Sequence, residues 1–198
     1  MDVIAGIARN AFQVVGRAGM DFFPDPPGTR TEEAVAFRAG LGGSAANTAA
    51  GICKVGGKAA LVTRVSDDSI GRCCVTQLRC YGVDTRHVTP VGGEFRNSLA
   101  VYESRIDQHQ SVIYRNGDAD FQMSLADVEA VDYTAHGALI TAGTVFAPDR
   151  SCSAAFHTFG LARKAGLPII FDVDYRPYFW PSPQVENRCS AARAPCRT

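Results

Sequence analysis

The chain has 198 residues, 46% of them apolar, and its 20 basic side chains balance 20 acidic ones to a net charge of zero. That length suits one soluble domain with a real core, and the charge balance gives no electrostatic case for nucleic acid or an anionic membrane as partner. Seven cysteines without a C-x-x-C pair support neither a disulfide framework nor a zinc site, and with no basic leader and no apolar run long enough to span a bilayer the expected compartment is the cytoplasm.

In chain order, residues 12–16 read as a short buried strand and residues 22–37 as further strands around a Pro24-Asp25-Pro26-Pro27-Gly28 turn. Residues 44–55 form a helix closed by Gly56 and Gly57, 59–65 the next strand, and 69–81 a second helix stopped at Gly82. Residues 94–115 are strand-like, with a polar turn at 107–110 between two apolar runs, so a β-hairpin is expected there. Ser124-Leu125-Ala126-Asp127 resembles a capping box ahead of a short helix. A strand over 138–142, a helix over 151–165 ended by Gly166 and a strand over 168–173 complete the series. Strands separated by helices imply right-handed crossovers and an α/β, doubly wound, mostly parallel sheet. The two segments that break the rhythm, within 22–40 and 94–116, are expected to build a small β-lid over it. One domain over 1–181 and an irregular, proline-bearing tail over 182–198 follow.

Four constellations carry chemistry, each with a plainer rival. Leu41-Gly42-Gly43-Ser44-Ala45-Ala46-Asn47 runs a glycine pair into a helix start, with Ser44 as expected cap. Bare backbone and converging N–H groups suit a small, oxygen-rich or anionic guest, and Asn47 can both donate to and accept from a sugar hydroxyl. Its rivals are a tight turn with no ligand and a dinucleotide fold, since Gly40-Leu41-Gly42-Gly43-Ser44-Ala45 fits G-x-G-x-x-A with Asp67 closing the next strand. Against the latter stands Arg38, where a buried parallel strand needs apolar residues. Asp21 lies just past the first strand, where open α/β sheets hold ligands, although a solvated turn aspartate is the commoner case. Tyr114 and Arg115 end the hairpin and can present a guanidinium to a carboxylate, against the plainer exposed arginine. Asp174 and Arg176 follow the last strand and face the same rim.

On these residues the chain resembles the N-terminal part of a PfkB-type, ribokinase-like carbohydrate kinase. The likeness runs from about Val14 to Pro181 and rests on residues 16–21, 42–47, 65–71, 81–84 and 171–176. Within that family, residues 16–21, 24–29, 111–117 and 172–178 are similar to the group that phosphorylates 5-dehydro-2-deoxygluconate in inositol catabolism. The resemblance implies that Asp21, Gly42, Gly43 and Asn47 hold sugar hydroxyls, that Tyr114 and Arg115 meet the acid end of a sugar acid, and that Asp174 and Arg176 lie toward the phosphates of ATP. It implies Mg²⁺ with the nucleotide, no metal site on the chain itself, and a homodimer through the lid. Related 2-keto-3-deoxygluconate kinases usually carry asparagine where Asp174 stands. The family's late D-T-x-G-A-G-D segment, which supplies phosphoryl-steadying N–H groups and the aspartate base, is absent from these residues. The chain is therefore expected to stop before the nucleotide half and to have little or no activity. A non-catalytic sugar-acid binding module and an NAD-dependent oxidoreductase are the alternatives. Loss of sugar-acid binding on Arg115→Ala, with little change in stability, is the expectation for a kinase-type pocket.

Overall fold

A computed structural model describes residues 3–174. A short helix, α1 (Val3–Ala8), leads into β1 (Ala11–Val15), apolar apart from the buried Gln13 and the middle strand of a five-stranded sheet. The other strands are β4 (Lys58–Ser66), β5 (Asp84–Val91), β8 (Ala138–Ala142) and β9 (Ile169–Asp172), in the order β5-β4-β1-β8-β9 and all parallel. Crossovers run through α2 (Ser44–Lys54), α3 (Ser69–Cys80), and α5 (Asp149–Lys164), with the short α4 (Leu125–Glu129) ahead of β8. Consecutive strand residues serve opposite faces. Val14 and Leu61 pack under α2 and α3 with Ala45, Ala49, Cys74 and Leu78, whereas Val15 and Val62 pack under α5 with Leu139, Phe146 and Phe159. Both faces are covered, which makes the sheet doubly wound as the alternation implied.

A second sheet of four strands, order β3-β2-β6-β7, rises from the carboxyl ends of the first. It comprises β2 (Gly19–Asp25), β3 (Ala36–Gly42), β6 (Ser98–Tyr102) and β7 (Ser111–Tyr114). The expected hairpin is present as the antiparallel pair β6 and β7, and the expected extra strands as the antiparallel pair β2 and β3. The lid therefore starts at Gly19 and ends its first pair at Gly42, slightly outside the limits read from the sequence.

Three local readings change. Ser44 is the first helical residue and not the cap; Gly43 occupies the cap position with φ of 96°, and the Ser44 hydroxyl lies 3.3 Å from that of Thr144. β5 and α1 were not anticipated. β5 is an edge strand whose charged residues and Pro90 hide the alternation that a half-buried strand shows. Arg176, the 182–198 tail and the 181 boundary lie outside the described residues. Among the described residues no helix is long and apolar enough to cross a membrane.

Candidate functional site

The rim where the parallel strands end and the lid begins gathers most of the residues singled out by the sequence. The turn after β1 carries Arg17, whose carbonyl accepts the Ala46 N–H at 3.1 Å, so the start of α2 is pinned against this turn. A Cβ on Gly43 would stand 2.6 Å from that same carbonyl oxygen. Close approach and a positive φ together make glycine necessary there.

Asp21 is a half-buried residue of β2, not a residue of a turn. Cross-strand pairing puts it beside Gly40 and Ala100, and its carboxyl lies over Gly42, where any Cβ would collide with it. Burial raises the Asp21 carboxyl from its ordinary value, and the Arg17 guanidinium works against that rise. Asn47 sits exposed one turn into α2, its backbone N–H bonded to the Gly43 carbonyl at 2.9 Å.

Arg115 is not the exposed strand-end arginine of the plainer reading. Its Nε donates to Asp118 Oδ2 at 2.9 Å, its Nη2 donates to Asp120 Oδ2 at 2.8 Å, and its guanidinium lies 4.5 Å from the centre of the Phe121 ring. Both carboxyls are buried, Asp118 with 2% and Asp120 with 5% of its surface exposed. Burial and the neighbouring Asp120 push the Asp118 carboxyl up to about 7, against the pull of Arg115 and Arg17. Arg17 therefore acts on both Asp21 and Asp118, and one chain of alternating charge runs Asp21, Arg17, Asp118, Arg115, Asp120. The backbone holds this segment to the foot of the lid, with the Ala119 N–H donating to the Arg96 carbonyl at 2.8 Å.

Tyr114 is separated from that chain. It pairs with Leu99 across β6 and β7, on the face shared with Met20, whereas Asp21, Ala100 and Ile113 mark the other face. Its side chain is 60% exposed. Asp174 follows β9, the edge strand beside β8, with φ of 35° and its N–H donating to Asp172 Oδ1 at 3.0 Å. Arg17, Asp118 and Asp120 went unremarked in the sequence. The signal is the Asp118-Ala119-Asp120 pattern that begins three residues after Arg115, but nothing local announces that both carboxyls turn inward.

The dinucleotide-fold alternative fails on topology. Gly40, Leu41 and Gly42 belong to β3, an antiparallel lid strand paired with β2, whereas that fingerprint follows a parallel strand of the main sheet. Among the described residues no group of three or more His, Cys, Asp or Glu side chains is placed to hold a metal ion.

A doubly wound sheet with a β-lid over its strand ends defines a sugar-kinase class of fold, and residues 11–195 match the pfkB family carbohydrate kinases. The chain belongs to that family. It is 36% identical over 173 residues to the 5-dehydro-2-deoxygluconokinase of Clostridium perfringens, an alignment covering 84% of this chain and 49% of that protein. The chain thus spans about half the length of the relatives it matches. In three dimensions it is similar to the PfkB protein from Polaromonas sp. JS666, with a TM-score of 0.80, 25% identity, and coverage of 92% of this chain and 62% of that one. A sugar kinase of Pyrococcus horikoshii determined in complex with ATP shares the fold, with a TM-score of 0.74, 22% identity, and coverage of 89% and 57%.

Proposed function

We propose that this chain carries the sugar side of a cytoplasmic, ATP-dependent kinase that phosphorylates a hydroxyl of a sugar acid of the 5-dehydro-2-deoxygluconate type. The observation that carries this reading is the rim itself: Asp21, seated over Gly42 and within reach of the Arg17 guanidinium, offers a carboxylate for sugar hydroxyls, and Arg17 also acts on Asp118, the partner of Arg115. The relative's name supports the choice of substrate. Gly42, Gly43 and Asn47 complete the hydroxyl-binding edge in this reading, and Arg115 lies next to the acid end. Tyr114 reaches it only if the end of β7 turns, because its strand position faces away.

ATP with Mg²⁺ would serve as phosphoryl donor, the ion bridging and neutralising the transferring phosphates. Asp174 and Arg176 are the residues of this chain we assign toward those phosphates. The 198 residues contain no D-T-x-G-A-G-D segment. A positioned base is worth roughly 10²- to 10⁴-fold and oriented N–H donors a comparable factor, so we propose that this polypeptide binds the sugar acid and turns it over little or not at all. A second copy would dock on the lid face that exposes Phe37, Val112 and Tyr114; sedimentation of the chain and of Val112→Glu distinguishes a dimer lost on substitution from a monomer throughout.

Titration calorimetry with 5-dehydro-2-deoxygluconate, with and without ATP, tests the main reading. Binding that weakens at least tenfold in Asp21→Ala, at nearly unchanged thermal stability, is the expected result. Equal binding by the wild type and Asp21→Ala refutes the pocket. Phosphate transfer in the presence of ATP refutes the proposed lack of turnover.

A further inference from the structure

The charge chain at the rim poses a problem for any anionic guest. Asp21, Asp118 and Asp120 contribute three carboxyls against the guanidinium groups of Arg17 and Arg115, so the fully ionised cluster is already negative. Arg115, the residue expected to meet the acid end, is gripped by two buried carboxylates at 2.9 and 2.8 Å. Bringing a further carboxylate against this cluster in a poorly hydrated place is unfavourable unless a negative charge is removed.

We propose that the Asp118–Asp120 pair is a proton-accepting part of the sugar-acid site, so that the anion enters together with one proton from solvent, taken up on a carboxylate oxygen of this pair. The inference rests on the sugar-acid reading above. Asp120 Oδ1 is buried and makes no hydrogen bond among the described residues, so the pair is not fully satisfied by Arg115. Two carboxyls that share one guanidinium hold a single proton between them more readily than either alone. Protonation of the pair loosens its hold on Arg115 and leaves that guanidinium positive toward the incoming carboxylate.

Among the other groups facing this segment, Asp21 is a further carboxyl raised by burial, and the Asp118→Asn variant separates the pair from it. Arg17 comes from the β1–β2 connection, with Asp21 beyond it. From β4, Arg64 donates to Asp127 at 2.8 and 3.0 Å, and from β5, Thr89 bonds the same carboxyl. From α5, Arg150 lies 3.4 Å from the Gln122 amide oxygen.

The experiment is calorimetry of the full chain with 5-dehydro-2-deoxygluconate, in two buffers of different ionisation enthalpy, near pH 6 and near pH 8. The ligand stays ionised across this range, so a buffer-dependent heat reports protons taken up by the protein. Expected are uptake approaching one proton near pH 8, almost none near pH 6, and affinity falling by up to about tenfold per pH unit above neutrality. Neutral fructose, if it binds, should take up none. Asp118→Asn should bind the acid without uptake and with a flat pH profile; the wild-type buffer dependence stands as evidence even if that variant folds poorly. Binding of the acid by the wild type with no proton exchange near pH 8 overturns the inference and leaves the sugar-acid reading intact. Unchanged uptake in a folded Asp118→Asn also overturns it. No binding at any pH overturns the sugar-acid reading and this inference with it.

Discussion

Arg115 shows what one residue's surroundings can do to an expectation. As a strand-end arginine it promised a side chain that could be removed at little cost to stability, yet its deletion would strand two buried carboxylates. Arg115→Ala should therefore lose about 3–5 kcal/mol, read from urea unfolding, because a buried pair broken on one side leaves charge uncompensated. The mirror case is Gly43, at φ of 96° and hard against the Arg17 carbonyl. Gly43→Ala should cost about 1–3 kcal/mol and also disturb sugar binding, the two measured by unfolding and calorimetry on the same preparation. Gly43 was legible in the sequence because paired glycines before a helix have a backbone reason to exist. Asp118 and Asp120 were not, since inward rotation of an Asp-x-Asp is decided by tertiary neighbours.

Helices proved easier to read than edge strands. The ends of α2, α3 and α5 sit within a few residues of the glycines that mark them, Gly56, Gly82 and Gly166, each with positive φ. The Ser124 to Asp127 box is real: the Asp127 carboxylate accepts from the Ser124 N–H at 2.7 Å and from its hydroxyl at 2.8 Å, and Arg64 closes it from β4. These bonds hold Asp127 below the usual carboxylate range despite its burial. A lowered folded-state value means that the stabilisation is complete above the unfolded carboxylate value near 4 and is lost as pH falls through the lowered one. Asp127→Asn should cost roughly 1.5–3 kcal/mol at neutral pH, with the gap to the wild type closing in acid unfolding curves. β5 escaped notice because an edge strand half in water need not alternate cleanly.

At the scale of the molecule, alternation of strands and helices was enough to place a parallel sheet with both faces covered, and the interrupted stretches were enough to place the lid. What the sequence could not supply was the lid's orientation, which decides that Tyr114 and Asp21 mark opposite faces. One of the two apolar clusters centres on Phe146, whose ring meets Phe156, Phe159 and Phe171 at 5.1, 5.8 and 5.7 Å. Phe146→Ala should lose about 3–5 kcal/mol in chemical unfolding, since one void would loosen α5 and β9 together. A different joint ties lid to core. The Asn97 amide oxygen, at the foot of β6, accepts from the Ser66 N–H at 2.6 Å, while the Ser66 hydroxyl donates at 2.8 Å to Asp68, which caps α3 through Ile70 and Gly71. Any tilt of the flap must tug on this relay, so deuterium uptake at Ile70 and Gly71 becomes a remote gauge of occupancy, slowed by bound sugar and deaf to it in Asn97→Ala.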